Sequence, residues 1–370
     1  MRIAIIGCCH GELNKLYDEI LKNEAECGEK TDLVICCGDM QTVRNDQDLK
    51  DMAIKPHRSK NGDFLEYYEG KKVAPILTIF VGGNHEVPNV LIPLYFGGWV
   101  APNIYYLGGS GVINVCGVRI AGISGIYKTY DHYRGYYESE PYTEESKRSW
   151  YHIRRYEIQK VLLIKENVLN SIDSYTNRKI NIFISHDWPR GIEKYGNIKY
   201  LFKRKPYIRK DVESNNFGTP GFLEIINTLK PNYWFSGHHH CFFDASVPFE
   251  NKNITSEFRA MDKFKKFGSP IRYFDIPSNN NKISIQPDIE WLSILRSTLS
   301  DYPKDEKPTD NISSINLKEP EISDYEYVKE KITKTLICND NTLEWPHWDH
   351  KNGYYKNYYN QHNFVLSIIK

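Results

Sequence analysis

"MRIAIIGCCHGELNKLY", residues 1–17, begins as an apolar strand and ends on two cysteines and a histidine before a helical pattern takes over. A buried strand that hands over to a helix needs only a glycine and a capping residue at the join. Cys8, Cys9 and His10 are instead metal-type side chains, set where open α/β sheets hold their ligands. The same layout recurs along the chain. "DLVICCGD", "PILTIFVGGNH", "GVRIAGISG", "NIFISHD" and "NYWFSGHHH" are each a short apolar run that ends in Gly and polar residues. Between them lie helical patterns such as "ELNKLYDEILKNEA", with Leu13, Leu16, Ile20 and Leu21 on one face. Strands alternating with helices predict an α/β fold whose sheets are buried on both sides.

The 370 residues allow a large core and more than one structural unit. Lys plus Arg total 48 against 47 for Asp plus Glu, so net charge gives no support to a general polyanion-binding surface. Any contact with nucleic acid has to come from local clusters. The eight cysteines include two adjacent pairs in apolar strands and do not form a secreted disulfide pattern. The opening apolar run is too short for a signal peptide, and no stretch approaches the roughly 18 apolar residues of a membrane helix. A soluble protein of a reducing compartment, with no membrane contact, is expected.

Between "GVRIAGISG" and "NIFISHD", residues 127–146 are Tyr-rich and irregular. From Glu144 the pattern turns helical, and its Pro-free continuity to Asn170 predicts one long helix with Ile158, Val161, Leu162 and Leu169 on its apolar side. Beyond residue 250, "ITSEFRAMDKFKKFGSPIRYFDIP" and "KISIQPDIEWLSILRSTL" read as strands plus a helix. A polar, Pro-bearing loop follows near 301–324. The last 30 residues have no assignment from pattern.

The question raised by Cys8-Cys9-His10 is answered downstream. Gly38-Asp39, Gly83-Asn84-His85-Glu86, His186-Asp187 and Gly237-His238-His239-His240 each follow an apolar strand. Two divalent cations sharing one carboxylate need about seven N, O or S donors. Cys8, His10, Asp39, Asn84, His186, His238 and His240 supply them. His238 and His240 are expected to reach both ions from one extended segment, because positions i and i+2 align. Cys9, Cys36 and Cys37 are expected to be packing residues, and His239 to point away. Glu86 and Asp187, by adjacency, are candidates to orient the histidines.

In this order, GD, GNH(E), H and GHxH resemble the calcineurin-like metallophosphoesterases. That family begins with Asp-x-His, whereas Cys8 stands at the Asp position here. Cys within "GCCHGELNKLY" resembles the RNA lariat debranching enzymes, as do "AGISGIYK", "PYTEESKRSWYHIRRYE", "SHDWPRGIEKYGN", "LKPNYWFSGHHH" and "IEWLSILRST". The resemblance covers most of residues 1–300. It implies a four-layer αββα sandwich: a catalytic domain over 1–250, with a lariat recognition loop inserted at 126–158, and a smaller C-terminal α/β extension over 251–370. It also implies one metal held by Cys8, His10, Asp39 and His240, and another by Asp39, Asn84, His186 and His238, with Asp39 bridging. The implied reaction is hydrolysis of the 2′,5′-phosphodiester of lariat RNA by a metal-bridged hydroxide, with His85 protonating the 2′-oxygen. Two divalent ions (Fe, Zn or Mn), a branched RNA substrate and a nuclear location complete the expectation. A thiolate at Cys8 favours Zn or Fe over Mg and is open to oxidation.

Taken singly, GD or GNH arises by chance, and a lone His is more often structural. The ordered set after successive strands is what carries the metal site. Two basic stretches point to RNA. "KYLFKRKPYIRK", 199–210, has six basic residues and no acid, interleaved with Tyr200, Phe202 and Tyr207; "KRSWYHIRRYEIQK", 147–160, has five basic residues and one acid. Tyr127, Lys128, Tyr130, Tyr133, Arg148, Arg154, Arg155, Lys203, Arg204 and Lys205 are the candidate substrate contacts. "EFRAMDKFKKF", 257–267, reads equally as a nuclear-targeting patch or as an amphipathic element. A general nucleic-acid or cyclic-nucleotide phosphodiesterase, or a phosphoprotein phosphatase, is the alternative; Cys8 and the 126–158 insert argue against it. A non-catalytic scaffold on this fold would be expected to lose ligands or His85, and all are present.

Overall fold

The computed structural model describes residues 1–54, 61–165, 179–250, 254–266, 268–279, 282–301, 316–335, 338–339, 342–343 and 358–370. In chain order the strands are β1 (Arg2–Ile6), β2 (Leu33–Cys36), β3 (Leu77–Phe80), β4 (Gly98–Ala101), β5 (Ile104–Tyr106), β6 (Ser110–Val115), β7 (Val118–Ile123), β8 (Ile182–Ser185), β9 (Tyr233–Ser236), β10 (Phe243–Pro248), β11 (Thr255–Ala260), β12 (Arg272–Asp275) and β13 (Ile285–Pro287). They form two mixed sheets, ordered β12-β1-β2-β3-β5-β4 and β10-β11-β9-β8-β7-β6-β13. Strands β1, β2, β3 and β5 run parallel in the first sheet, and β7, β8, β9 and β11 in the second.

Strand periodicity explains the layering. In β1 and β2 the alternate residues Ile3, Ile5, Leu33 and Ile35 belong to one core, while Ala4, Ile6, Val34 and Cys36 belong to another. The first core fills the gap between the sheets, where Phe274 of β12 meets Phe235 of β9 at 4.9 Å between ring centroids. The second lies under the helix Leu13–Cys27, which buries Leu13, Leu16, Tyr17 and Ile20. Leu21, expected on that face, is exposed. On the far side of the second sheet, Phe183 stacks on Trp234 at 4.1 Å, and Phe222 of the helix Phe222–Leu229 packs over Trp234. Burying one such large side chain contributes about 1.5–3 kcal/mol.

Two expectations are corrected. Strands β11, β12 and β13 lie beyond residue 250, yet they pair with β9 and β10, with β1 and with β6. The two-sheet core therefore runs to residue 287 and does not stop at 250. The helix expected over 144–170 is broken. Short helices Ser146–Ser149 and Arg155–Leu162 flank a segment in which Ile126 N donates to Tyr151 O and Ile153 N to Ile126 O, so this backbone is spent on strand-like pairing. Leu169 and most of the polar loop near 301–324 lie outside the described residues. The segment 257–267 begins as the inner strand β11. The helix Tyr358–Ile369, unassigned from sequence, closes the edge of the first sheet: Gln361 accepts from Trp99 N at 2.7 Å and donates to Trp99 O at 2.8 Å.

Candidate metal centre

Every donor expected from sequence follows the C-terminal end of a parallel strand. Cys8 and His10 leave β1, Asp39 leaves β2, Asn84 leaves β3, His186 leaves β8, and His238 and His240 leave β9. The two sheets stack so that these ends converge. The approach is close enough to require glycine at two points. A Cβ on Gly38, where φ is 118°, would sit 2.1 Å from His186 Nδ1; one on Gly83 would sit 2.2 Å from Asp39 Oδ1. Among the described residues nine non-glycines have positive φ, and four of them are His10, Asp39, His238 and His240. Such left-handed backbone gathers at functional sites. It also corrects the expectation for His238 and His240, which diverge from a left-handed turn and not from an extended segment.

Two donor groups result. Ligand atoms of Cys8, His10, Asp39 and His240 all lie within 4.8 Å of one another. Within this group His10 Nε2 is 3.3 Å from His240 Nε2 and 3.7 Å from Asp39 Oδ2. On the other side, His186 Nε2 is 3.4 Å from Asp39 Oδ1 and 3.2 Å from Asn84 Oδ1. The His238 ring packs against that of His186 at 5.0 Å between centroids. The two oxygens of Asp39 are thus divided between the groups. His85 borders both, with its backbone N–H donating to Asp39 Oδ1 at 2.9 Å and its ring 5.4 Å from that of His10.

The chemistry of this set calls for cations. His186 Nδ1 lies 2.8 Å from Cys37 O, a carbonyl that can only accept, so Nδ1 carries a proton. Nε2 faces two acceptors, Asp39 Oδ1 and Asn84 Oδ1, an arrangement that suits a cation between them. Burial lowers His10 to about 4, with Lys263 adding to the effect, and His240 to about 2, so both imidazoles are neutral donors. Burial alone would raise the carboxyl of Asp39. His186, His10 and His85 instead hold it well below the ordinary carboxylate range. Burial and the neighbouring Asp39 push the Cys8 thiol well up, and a bound cation is what would convert it to thiolate. The residues therefore fit two divalent ions, with thiolate, imidazole, amide and carboxylate ligands.

Among the described residues the bonds of Glu86 and Asp187 run to backbone N–H groups and a hydroxyl. Buried Glu86 accepts from Met40 N, Gln41 N and Gly83 N at 2.7, 2.9 and 3.1 Å, tying the Asp39 turn to the Asn84–His85 turn. Asp187 accepts from Tyr127 N, Trp188 N and Thr219 Oγ1, which joins the insert to the His186 loop. It also lies with His238 and His239 in a second cluster whose ligand atoms are within 4.8 Å. The ring of His239 packs on Trp188 and Phe217. Cys9 and Cys36 fill the outer core and Cys37 the inter-sheet core. Sequence reasoning missed Lys263, which is bridged to Cys8 and whose charge lowers His10 and His240. It sits past residue 250, where the strand-glycine pattern gives no sign of the site.

The candidate RNA contacts divide. Lys128, Tyr130, Tyr133 and Arg148 are exposed on the insert, as are Lys203 and Arg204 on the helix Ile198–Arg204. Arg155 lies over the Tyr133 ring, and Arg190 over Tyr127. Lys205 is half-buried and shares its surroundings with Asp262, Lys263 and Lys265. Arg154 is a correction. It is fully buried, and its guanidinium donates to Gly135 O, Ser149 O, His152 O and Glu138 Oε1. Four of its five N–H groups are spent on these oxygens and the side chain is buried, so it is not presented to a phosphate; it holds the insert's backbone together. Lys160, counted in the basic stretch, is likewise buried against Glu157.

A family model for calcineurin-like phosphoesterases matches residues 1–242. The lariat debranching enzyme of Arabidopsis thaliana is 41% identical over 317 residues, covering 85% of this chain and 72% of the relative. The lariat debranching enzymes of Homo sapiens and Danio rerio are each 44% identical over 80% of this chain. The chain spans 54% and 51% of those two, about half their length. With two sheets meeting at this donor cluster and Cys8 leading it, the chain belongs to the calcineurin-like phosphoesterases and, within them, to the lariat debranching enzyme family.

Proposed function

We propose that this protein hydrolyses the 2′,5′-phosphodiester bond at the branch of lariat RNA. Cys8, His10, Asp39 and His240 would hold one divalent cation, and Asp39, Asn84, His186 and His238 a second. The observation that carries this is the division of the Asp39 oxygens between the two donor groups, with His85 beside both. Divalent ions bound there supply Lewis acidity, which makes water acidic enough to yield a nucleophile near neutral pH and offsets phosphate charge. The remaining work falls to this chain's own groups. Glu86 fixes the turns that present Asp39 and His85. A departing ribose 2′-oxygen is a poor leaving group unless it is protonated, and His85 is the proton donor we assign to it. Exposed Lys128, Arg148, Lys203 and Arg204 are suited to flanking phosphates, and Tyr130 and Tyr133 to unpaired bases. The thiol ligand favours Fe or Zn, with Mn as a further candidate, over Mg. Because lariats arise where introns are excised, a nuclear location goes with this activity. No described helix is long and apolar enough to cross a membrane.

The test compares a synthetic RNA bearing one 2′,5′ branch with a linear RNA of matching sequence. Each is incubated with anaerobically prepared protein and with Fe, Zn or Mn in turn. Cleavage of the branch alone is expected, falling at least about 100-fold in kcat in His85→Ala. Cleavage of both RNAs would identify a general phosphodiesterase. Failure with every metal, in folded and metal-loaded protein, would refute the proposal.

A further inference from the structure

The stretch 199–210 carries six basic residues and no acid. Its two apolar anchors set how it lies. Leu201 and Ile208 are buried, so the helix Ile198–Arg204 and the turn Pro206–Ile208 are held by one side. Asn197 fixes the start of the helix, its side chain accepting from Tyr200 N at 3.0 Å. The remaining positions face outward. Lys199, Lys203, Arg204, Arg209 and Lys210 are exposed. Tyr200 and Tyr207 are 41% and 66% exposed, and Tyr195, just before the helix, is 39% exposed.

These cations have no counter-charge. Among the described residues none of the five forms an ion pair, whereas in the insert Lys147 pairs with Glu144 at 2.8 Å and Arg134 with Asp131 at 3.3 Å. Lys199 and Lys203 stand four apart on the helix, a like-charge spacing that lowers its stability. A bound polyanion would offset that repulsion. Exposed rings beside unpaired cations suit a strand that offers both phosphates and unpaired bases, which is single-stranded nucleic acid. The patch also continues to the donor cluster. Lys205, at the end of the helix, neighbours Cys241, Asp262, Lys263 and Lys265. Cys241 directly follows the donor His240, and Lys263 is bridged to Cys8. The insert meets the cluster elsewhere, through Tyr127 and Asp187.

We propose that the exposed face of residues 195–210 binds a single-stranded arm of the RNA that leaves the branch on the Cys8 side of the donor cluster. The inference rests on the debranching activity proposed above and gives it a second, outlying contact with the substrate. Lys199, Arg209 and Lys210 take phosphates while Tyr200 and Tyr207 stack on bases, so affinity depends on the length of one arm.

The test uses the full chain, metal-loaded, and a branched RNA with three short arms, each lengthened in turn by about ten nucleotides, within the usual span of a single-strand site. Lengthening one arm is expected to lower KM about ten-fold, with kcat unchanged. Tyr200→Ala combined with Tyr207→Ala, at two exposed positions, should raise the KM of that long-armed RNA about five-fold or more and leave the short-armed RNA unaffected. Lys199→Gln combined with Lys210→Gln should flatten the salt dependence, lowering the slope of log KM against log salt by about 1.4 on the long-armed RNA. A KM indifferent to every arm would overturn the surface while leaving debranching intact, as would a tyrosine-variant loss equal on short and long RNAs. Fluorescence anisotropy with a linear single-stranded RNA separates the two readings. Binding that the tyrosine variant loses, without cleavage of any branched RNA, would refute debranching and keep the surface as an RNA site. Neither binding nor cleavage would refute both.

Discussion

At Asp39 a left-handed backbone, with φ of 47°, follows Gly38 and turns the carboxylate so that Oδ2 faces His10 and Oδ1 faces His186. Replacing Asp39 by Asn removes the charge that both proposed cations share. The variant is expected to fold but to retain less than half the metal of the unaltered protein, as measured by elemental analysis. Cys8 should give a different result. Its sulfur is the one oxidisable donor of the proposed centre, so dilute peroxide should abolish most activity in step with Cys8 oxidation followed by mass spectrometry. Cys8→Asp should keep its activity after the same treatment; equal losses in both proteins would show that Cys8 is not the sensitive group. The identities of these donors were legible because each stands directly after an apolar strand. The support of Glu86 was not, since a carboxylate that accepts three backbone N–H groups has no signature in sequence. Nor was the burial of Arg154, because sequence does not reveal which carbonyls a guanidinium will find.

The insert at 126–158 is held by polar contacts more than by a core of its own. Arg154 ties four backbone and side-chain oxygens together, and His152 bonds Asp131 beneath the exposed Tyr130. Arg154→Leu would leave Glu138 without its cation in a buried setting, at a cost of about 3–5 kcal/mol. Faster hydrogen exchange across 126–158 is expected, with the sheets unaffected; unchanged exchange would contradict the latch. The insert also responds to acid. Burial, with Arg155 and Arg154 nearby, lowers His132 from 6.5 to about 4, although its Nδ1–H donates to Ile153 O. Below about pH 6.5 the unfolded segment takes up this proton and the folded one does not, so stability present above 6.5 is lost as pH falls toward 4. Exchange protection in the insert should drop between pH 7 and 5, and less so in His132→Asn. The strands and helix Leu13–Cys27 were readable from periodicity. The broken helix was not: the apolar spacing over 144–162 is helical, and only the tertiary pairing with Ile126 overrides it.

Across the whole molecule, long-range polar contacts join late segments to early strands. Arg119 of β7 donates to Asp288 at 2.6 and 2.7 Å and to Glu290 at 2.7 Å, while Asp288 also caps the helix Ile289–Thr298. All three side chains are buried. Arg119→Met would strand two carboxylates, so a loss of about 3–5 kcal/mol is expected by denaturant titration; a loss under about 1 kcal/mol would mean that the terminal helices are held by apolar packing alone. These contacts also explain why the boundary expected at 250 is displaced. A change in sequence style marked the end of the glycine-bounded motifs, but β11, β12 and β13 still complete the sheets whose edges meet at the donor cluster.

The most direct measurement is anomalous diffraction from crystals grown without oxygen in the presence of Zn or Mn. Two peaks about 3.5–4 Å apart are expected, one against Cys8, His10 and His240 and the other against Asn84, His186 and His238, with Asp39 touching both. A single peak would contradict the account, and so would metal at Asp187, His238 and His239 with Asp39 uncoordinated.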